Sequence, residues 1–288
     1  MGKIAAYARL MRVEHSLMLV VAVVAAELLS GGLPTPTILL LSIITPIFIS
    51  MGSFAINDYF DMSVDKANKR NRPLVTGTIK PMYAVYATAI SLLIGALSSA
   101  FINLYAFAIA LAFALLSVLY AYWLKEKLFW GNAYVAFAMV IPFIYGNYVV
   151  SYRLGFDIVL ISIMIFFAGF AREVQGTIRD LAGDVKVRNA HTIPKAIGVA
   201  GAAWLALSAY AVAILISAGL ATFVAPFRLN LIFIIPIIVT DAMLLRVGIG
   251  YIVNREEMFY SRARNTSLAA MAIALLAILA STAFTVSL

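Results

Sequence analysis

Runs of about twenty uncharged, apolar residues return along the whole chain, and nothing constrains its fold more than they do. The stretch NLYAFAIALAFALLSVLYAYW, residues 103–123, is one of them. As a helix, a window of that length crosses the roughly 30 Å hydrocarbon core of a bilayer. Transmembrane barrel strands are shorter and alternate apolar with polar residues, so continuous runs mark an all-α polytopic membrane protein. With 64% of the 288 residues hydrophobic and 12% charged, no soluble domain of useful size is left over. A single membrane-embedded domain over residues 1–288 is expected.

Nine spans are expected, near 15–31, 37–56, 82–102, 104–123, 131–150, 157–174, 195–219, 229–250 and 266–287. The uncharged junction AFINLY, between the third and fourth, is the weakest break. The opening MGKIAAYARLMR and the apolar run behind it resemble a signal peptide. Glu27 interrupts that run and eight more spans follow, so a retained first helix is expected. Of the 21 lysines and arginines, 19 fall on one side of this topology, and only Arg153 and Arg228 on the other. That asymmetry places the N-terminus and the long loops in the cytoplasm and the C-terminus outside. It also accounts for the net charge of +8 without nucleic acid as a partner. The absence of cysteine excludes disulfides, thiolate metal sites and cysteine nucleophiles.

Two acidic clusters stand out against this background. NDYFDMSVDKANKRNRP, residues 57–73, closes the second span; REVQGTIRDLAGD, residues 172–184, closes the sixth. Asn57, Asp61 and Asp65 are spaced i, i+4, i+8 and stack along one helix face, about 6 Å per step. Asp58 is turned about 100° away. Asp180 and Asp184 repeat the i, i+4 spacing, with Arg172, Glu173 and Gln175 one to two turns earlier. Carboxylates on one face repel unless a cation lies between them, and a place beside hydrocarbon adds to the cost. Two such faces therefore point to bound metal. An all-oxygen ligand set favours a hard ion, Mg²⁺ above all, whose shell is completed by phosphate oxygens. Lys66, Arg70, Arg72, Lys125, Arg179, Lys186 and Lys195 then read as phosphate partners. The matched placement of the clusters also suggests two four-helix units facing each other around a central cavity, plus a ninth helix.

These residues resemble the UbiA superfamily of intramembrane prenyltransferases. Its motif N-D-x-x-D-x-x-x-D is matched by Asn57, Asp58, Asp61 and Asp65, and the R-P that follows by Arg72 and Pro73. Its second motif, D-x-x-G-D, is matched by Asp180, Gly183 and Asp184, and the later T-[LI]-P by Thr192, Ile193 and Pro194, with Gly198 after it. LYAYWLKEK resembles the family's tyrosine-to-lysine stretch, carried by Tyr120 and Lys125. Gly176 and Thr177 stand where the family commonly has Lys-Asp, and Arg179 is expected to supply the missing positive charge.

The resemblance implies a prenyl diphosphate and two Mg²⁺ ions held between the clusters by Asn57, Asp58, Asp61, Asp65, Asp180 and Asp184. Ionisation of the allylic C–O bond and attack by an acceptor would follow. Tyr59, Tyr120 and Tyr122 are the tyrosines placed to face a carbocation. RVEHSLM is similar to the R-x-x-N-x-x-M stretch of the family's archaeal ether-lipid branch, with Arg12 matched and His15 in the asparagine's place. Members of that branch join a geranylgeranyl group to geranylgeranylglyceryl phosphate. An aromatic acceptor, as in quinone biosynthesis, is the alternative within the family. A cation-coupled transporter using Asp61, Asp180 and Asp241 is the alternative outside it. Membrane phosphatidyl-alcohol transferases are excluded, because no D-G-x-x-A-R stretch occurs. Asp241, an intramembrane acid, is expected either to be functional or to pair with Arg246, and His191 is expected to be a loop residue.

Overall fold

The structure is a computed structural model that describes residues 3–67, 70–187, 192–254 and 256–286. Of residues 3, 182–187, 257 and 286 it describes the backbone only. Every regular element among the described residues is helical. They are α1 (Lys3–Met11), α2 (Val13–Ser30), α3 (Pro36–Phe60), α4 (Met62–Ala67), α5 (Pro81–Ala100), α6 (Leu104–Tyr122), a 3₁₀ turn (Leu124–Glu126), α7 (Trp130–Val150), α8 (Phe156–Val187), α9 (Ile193–Phe223), α10 (Leu231–Val253) and α11 (Glu257–Val286).

Eight of them, α2, α3, α5, α6, α7, α9, α10 and α11, are long and apolar enough to cross a membrane. The ninth expected span falls on α8, whose apolar first half gives way to the charged second cluster. Its 32 residues reach about 48 Å, well past a 30 Å hydrocarbon core. The whole of REVQGTIRDLAGD is thus helical, where the sequence placed the helix end near residue 174.

Starts and stops follow from single residues. Pro36 and Pro81 occupy the first turns of α3 and α5, where a missing N–H costs nothing. The weak 3/4 junction is made by Asn103, whose side chain accepts from the Ala106 N–H and caps α6. The same amide donates to the Tyr148 carbonyl at 2.8 Å, tying that corner to α7. Gly198, at φ +76°, breaks α9 near its start, in a conformation that few residues but glycine adopt.

Each long helix packs on the next, and α11 returns to α2, so the nine close into a ring. α2 also leans on α7, and α3 on α6, across that ring. The largest packed core joins α7 to α11 with α2, through Phe143, Ile161, Ala206, Tyr210 and Phe233. The outer surface carries Leu93, Leu97, Leu115, Ile235 and Ile238, all exposed, which suits lipid and would be a liability in water. Between α2 and α7 the backbones approach so closely that a Cβ on Gly146 would lie 2.6 Å from the Val23 carbonyl oxygen. A carbonyl in a helix cannot swing aside, so Gly146→Ala pushes the helices apart. The expected loss is about 1–3 kcal/mol, read as a lower thermal midpoint in detergent with the helix content unchanged.

Candidate active site

Helix α3 delivers the first cluster, and its last turn is tight rather than straight. Asp61 closes α3 with φ −87° and ψ −2°, and α4 resumes at Met62. The i→i−4 hydrogen bonds nevertheless run through the bend: Asp61 N–H to the Asn57 carbonyl at 2.9 Å, Asp65 N–H to Asp61 at 2.8 Å. Asn57, Asp61 and Asp65 therefore keep the expected stack. Asn57 Nδ2 donates to Asp61 Oδ2 at 3.0 Å, and Lys125 Nζ donates to Asp61 Oδ1 at 2.8 Å. Lys125 rides on the 3₁₀ turn between α6 and α7, with its side chain buried, and so comes from 64 residues away to meet the motif. Arg70 Nη1 donates to Asp65 at 3.2 Å, and Arg72 lies 3.8 Å from both Asp65 and Asp58.

Asp58 has a different partner from its neighbours. Its side chain, 2% exposed, accepts from Arg12 Nη2 at 2.9 Å. Arg12 reaches it because the chain turns left-handed there, at φ 47°, between α1 and α2. α1 is a helix the sequence did not announce; its Ala6 and Leu10 pack on Ala55 of α3 and on Leu74. Burial lowers the pKa of Arg12, whereas the two-pronged hydrogen bond to Asp180 raises that of Arg179.

The second cluster meets the first across a polar cavity of about 520 Å³. Arg70 and Arg72 line it from the loop after α4, and Arg172, Glu173, Arg179 and Asp180 from α8. Arg179 clamps Asp180 through Nε and Nη2, both at 2.7 Å, and Arg172 Nη1 donates to Glu173 at 2.9 Å. Gly176 and Thr177 of α8 also line the cavity. The side chains of Asp184 and Lys186, and His191 altogether, lie outside the described residues.

A second cavity, of about 550 Å³, runs down the middle of the ring. Arg12, His15 and Asn57 stand in its wall together with Tyr120 and Tyr134, and the rest is largely apolar, with Phe113, Phe143 and Met164 among its residues. Tyr120 and Tyr134 stack at 4.3 Å between ring centroids, and Tyr134 stacks in turn on Phe113. Phe54 touches both Arg12 and His15 through its ring. Asn57 thus belongs to the wall of the apolar cavity while holding Asp61, and Arg72 belongs to the polar cavity while approaching Asp58 and Asp65. The first motif spans the two.

A model of the UbiA prenyltransferase family matches residues 18–258. The chain belongs to this family. It is 34% identical to a digeranylgeranylglyceryl phosphate synthase of Archaeoglobus fulgidus, over 92% of this chain and 91% of that one. Its fold matches that of a solved digeranylgeranylglyceryl phosphate synthase with a TM-score of 0.79, at 24% identity and over 98% and 99% of the two chains. It also matches a UbiA homologue from Archaeoglobus fulgidus bound to GPP and Mg²⁺, with a TM-score of 0.66, at 18% identity and over 95% and 99%. Family membership makes the chain a multi-pass membrane prenyltransferase and decides against the transporter.

Within this UbiA fold, divalent metal suits the donors present. Among the described residues no three acidic or histidine side chains group closely enough to hold an ion alone. Mg²⁺ does not ask for that, since it takes one or two carboxylates and fills the shell with water and phosphate oxygens. Asp61, Asp65 and Asp180 supply such oxygens, each now facing Lys125, Arg70 or Arg179.

Several expected roles move. Asp58 accepts from Arg12, and Arg72 lies 3.8 Å from it and from Asp65. Tyr122 is 69% exposed, edge-on to Phe60, and borders neither cavity; Tyr59 packs beside Ala6 and Leu10. Asp241 accepts from Ser217 at 2.7 Å, across α9 and α10, and shows no ion pair with Arg246. Tyr134, Tyr251 and Arg264 were not among the expected site residues, yet each borders a cavity. Fourteen residues separate Tyr134 from Tyr120, and only the α6–α7 hairpin brings them together.

Proposed function

We propose that this chain transfers a geranylgeranyl group from geranylgeranyl diphosphate to the free hydroxyl of geranylgeranylglyceryl phosphate, forming an ether of archaeal membrane lipid. The observation that carries this is the first motif's position between an apolar cavity and an arginine-lined polar one. A prenyl diphosphate has those two parts. The acceptor is supported by relatives that are digeranylgeranylglyceryl phosphate synthases and match over most of their length. An acceptor with its own phosphate also suits the surplus of arginine. The lysine and arginine asymmetry supports a cytoplasmic position for the polar cavity.

The prenyl tail lies along Met164, Phe143 and Phe113, which exclude water from the carbon chain. Asn57 and Lys125 hold Asp61 at the junction of the cavities. Two Mg²⁺ ions, bound through Asp61, Asp65, Asp180 and Asp184, would neutralise the diphosphate and make it a better leaving group. Arg70, Arg72 and Arg179 (with Lys186) add charge-assisted hydrogen bonds to its oxygens, which strengthen as negative charge builds there. The C1–O bond breaks with its electron pair going to the diphosphate. Tyr120, stacked on Tyr134, turns a π face toward the allylic cation at a distance from water. The acceptor oxygen bonds to C1, and its proton passes to the released diphosphate.

Purified protein, labelled geranylgeranyl diphosphate and Mg²⁺ test this directly with a panel of acceptors. Transfer to geranylgeranylglyceryl phosphate is expected, and EDTA should abolish it, with recovery on adding Mg²⁺ back. Transfer confined to hydroxybenzoate or naphthoate would replace the lipid acceptor with an aromatic one.

A further inference from the structure

The polar cavity offers more hydrogen-bond donors than one diphosphate between the acidic clusters would use. Five arginines line it against two carboxylates, Glu173 and Asp180. Arg70, Arg72 and Arg179 each lie beside an aspartate of the two motifs. The other donors are carried by α8, α10 and α11: Arg172, Gln175, Tyr251, Arg264 and Ser267.

Gln175 fixes the character of that group. It is 3% exposed, and its Oε1 accepts from the Tyr210 hydroxyl at 3.0 Å. Nε2 is left buried with no acceptor among the described residues. Arg172 presents a second such group: Nη1 is spent on Glu173, while Nε is buried without an acceptor. Buried N–H groups are nearly always paired in folded proteins, so two orphans in one cavity wall mark a missing acceptor. Arg264, one turn before the buried Ser267 on α11, stands exposed at the same cavity and forms no ion pair among the described residues. The three groups turn N–H donors to the cavity, and two of them, Arg172 and Arg264, are cations. They suit an anion and repel a metal ion.

We propose that Arg172, Gln175 and Arg264 form a subsite for a phosphomonoester, the head group of the acceptor, separate from the donor's diphosphate site. This rests on the acceptor reading above and adds to it where the head group binds. It also gives the enzyme a physical ground for preferring a phosphate-bearing alcohol to a bare one, because a neutral acceptor leaves the buried donors unpaired.

The test uses full-length protein in lipid nanodiscs, with Arg264→Gln and Arg264→Lys as variants; the position is exposed, so folding is not at stake. Steady-state rates give acceptor and donor KM separately, and binding of labelled geranylgeranylglyceryl phosphate in EDTA gives a readout independent of turnover. Arg264→Gln is expected to raise acceptor KM and Kd about tenfold, the loss of one charge-assisted hydrogen bond, while donor KM moves less than twofold. Arg264→Lys should recover most of the loss. An equal rise in donor KM would assign Arg264 to the diphosphate and overturn the subsite, as would acceptor binding that ignores the substitution. Inorganic phosphate is the second probe, and if it binds the wild type as tightly as the lipid does, the site serves free phosphate instead. Failure of the acceptor reading itself looks different, since the wild type would then transfer to no phosphate-bearing acceptor.

Discussion

Asp61→Ala should lower the rate of prenyl transfer about 10²–10³-fold or more, with the variant folded as well as the wild type. Asp61 accepts from Asn57, which stands in the wall of the apolar cavity, and from Lys125 on the 3₁₀ turn. Its side chain is about one-fifth exposed, so its removal opens no large void and strands no deeply buried charge. What it removes is an oxygen donor where the diphosphate must sit, and the anchor that holds the Lys125 ammonium in place. Single-turnover chemistry with saturating donor separates this from weak binding. Asp180→Ala should behave alike, because Asp180 holds the corresponding place on α8 and is itself 40% exposed. Either variant retaining more than a tenth of wild-type turnover would remove that residue from the catalytic group. Loss of turnover in both, with the thermal midpoint preserved, would tie the two clusters to one chemical step.

Much of this site was legible because lipid leaves polar residues few reasons to be where they are. Asn57, Asp61 and Asp65 stack as their spacing requires, since i→i+4 geometry survives the bend at Asp61. Lys125 was legible as a cation near the clusters and through its likeness to a family motif, but its contact with Asp61 was not. Nothing in LYAYWLKEK says that a 3₁₀ turn will point its ammonium at an aspartate 64 residues earlier. Tyr134, Tyr251 and Arg264 were illegible for a related reason. Each is an ordinary residue on its own helix, and only ring closure, α6 on α7 and α8 near α11, gives it a cavity to face. Asp241 shows the opposite failure. Arg246, five residues on, looked like its partner, yet the helix carries the two to different sides and Ser217 on α9 takes the bond. Helix ends also misled, because charge was read as a boundary at residue 174, whereas α8 continues to Val187 once it leaves the hydrocarbon.

Asp58 gives the largest expected stability effect and separates two roles that a motif alone merges. Counted by sequence, it is one more acid for the metal. In the structure it is 2% exposed, with Arg12 at 2.9 Å on one oxygen and Arg72 at 3.8 Å from the other. Arg12 holds the turn between α1 and α2, so the pair fixes the N-terminal helix to the end of α3. Asp58→Ala leaves the partly buried Arg12 guanidinium without the carboxylate that accepts from it, while Arg72 keeps only Asp65. Breaking a buried pair from one side costs about 3–5 kcal/mol, far more than the pair adds over apolar packing. The variant should therefore melt well below the wild type in detergent, and proteolysis should open the chain first near Arg12. Double replacement, Arg12→Met with Asp58→Leu, should restore part of the midpoint, because it removes both charges together. Metal ligation makes the contrary demand: a raised Mg²⁺ concentration for half-maximal turnover in Asp58→Asn, with little change in melting. Observing that pattern would return Asp58 to the metal and leave Arg12 to be explained by another contact.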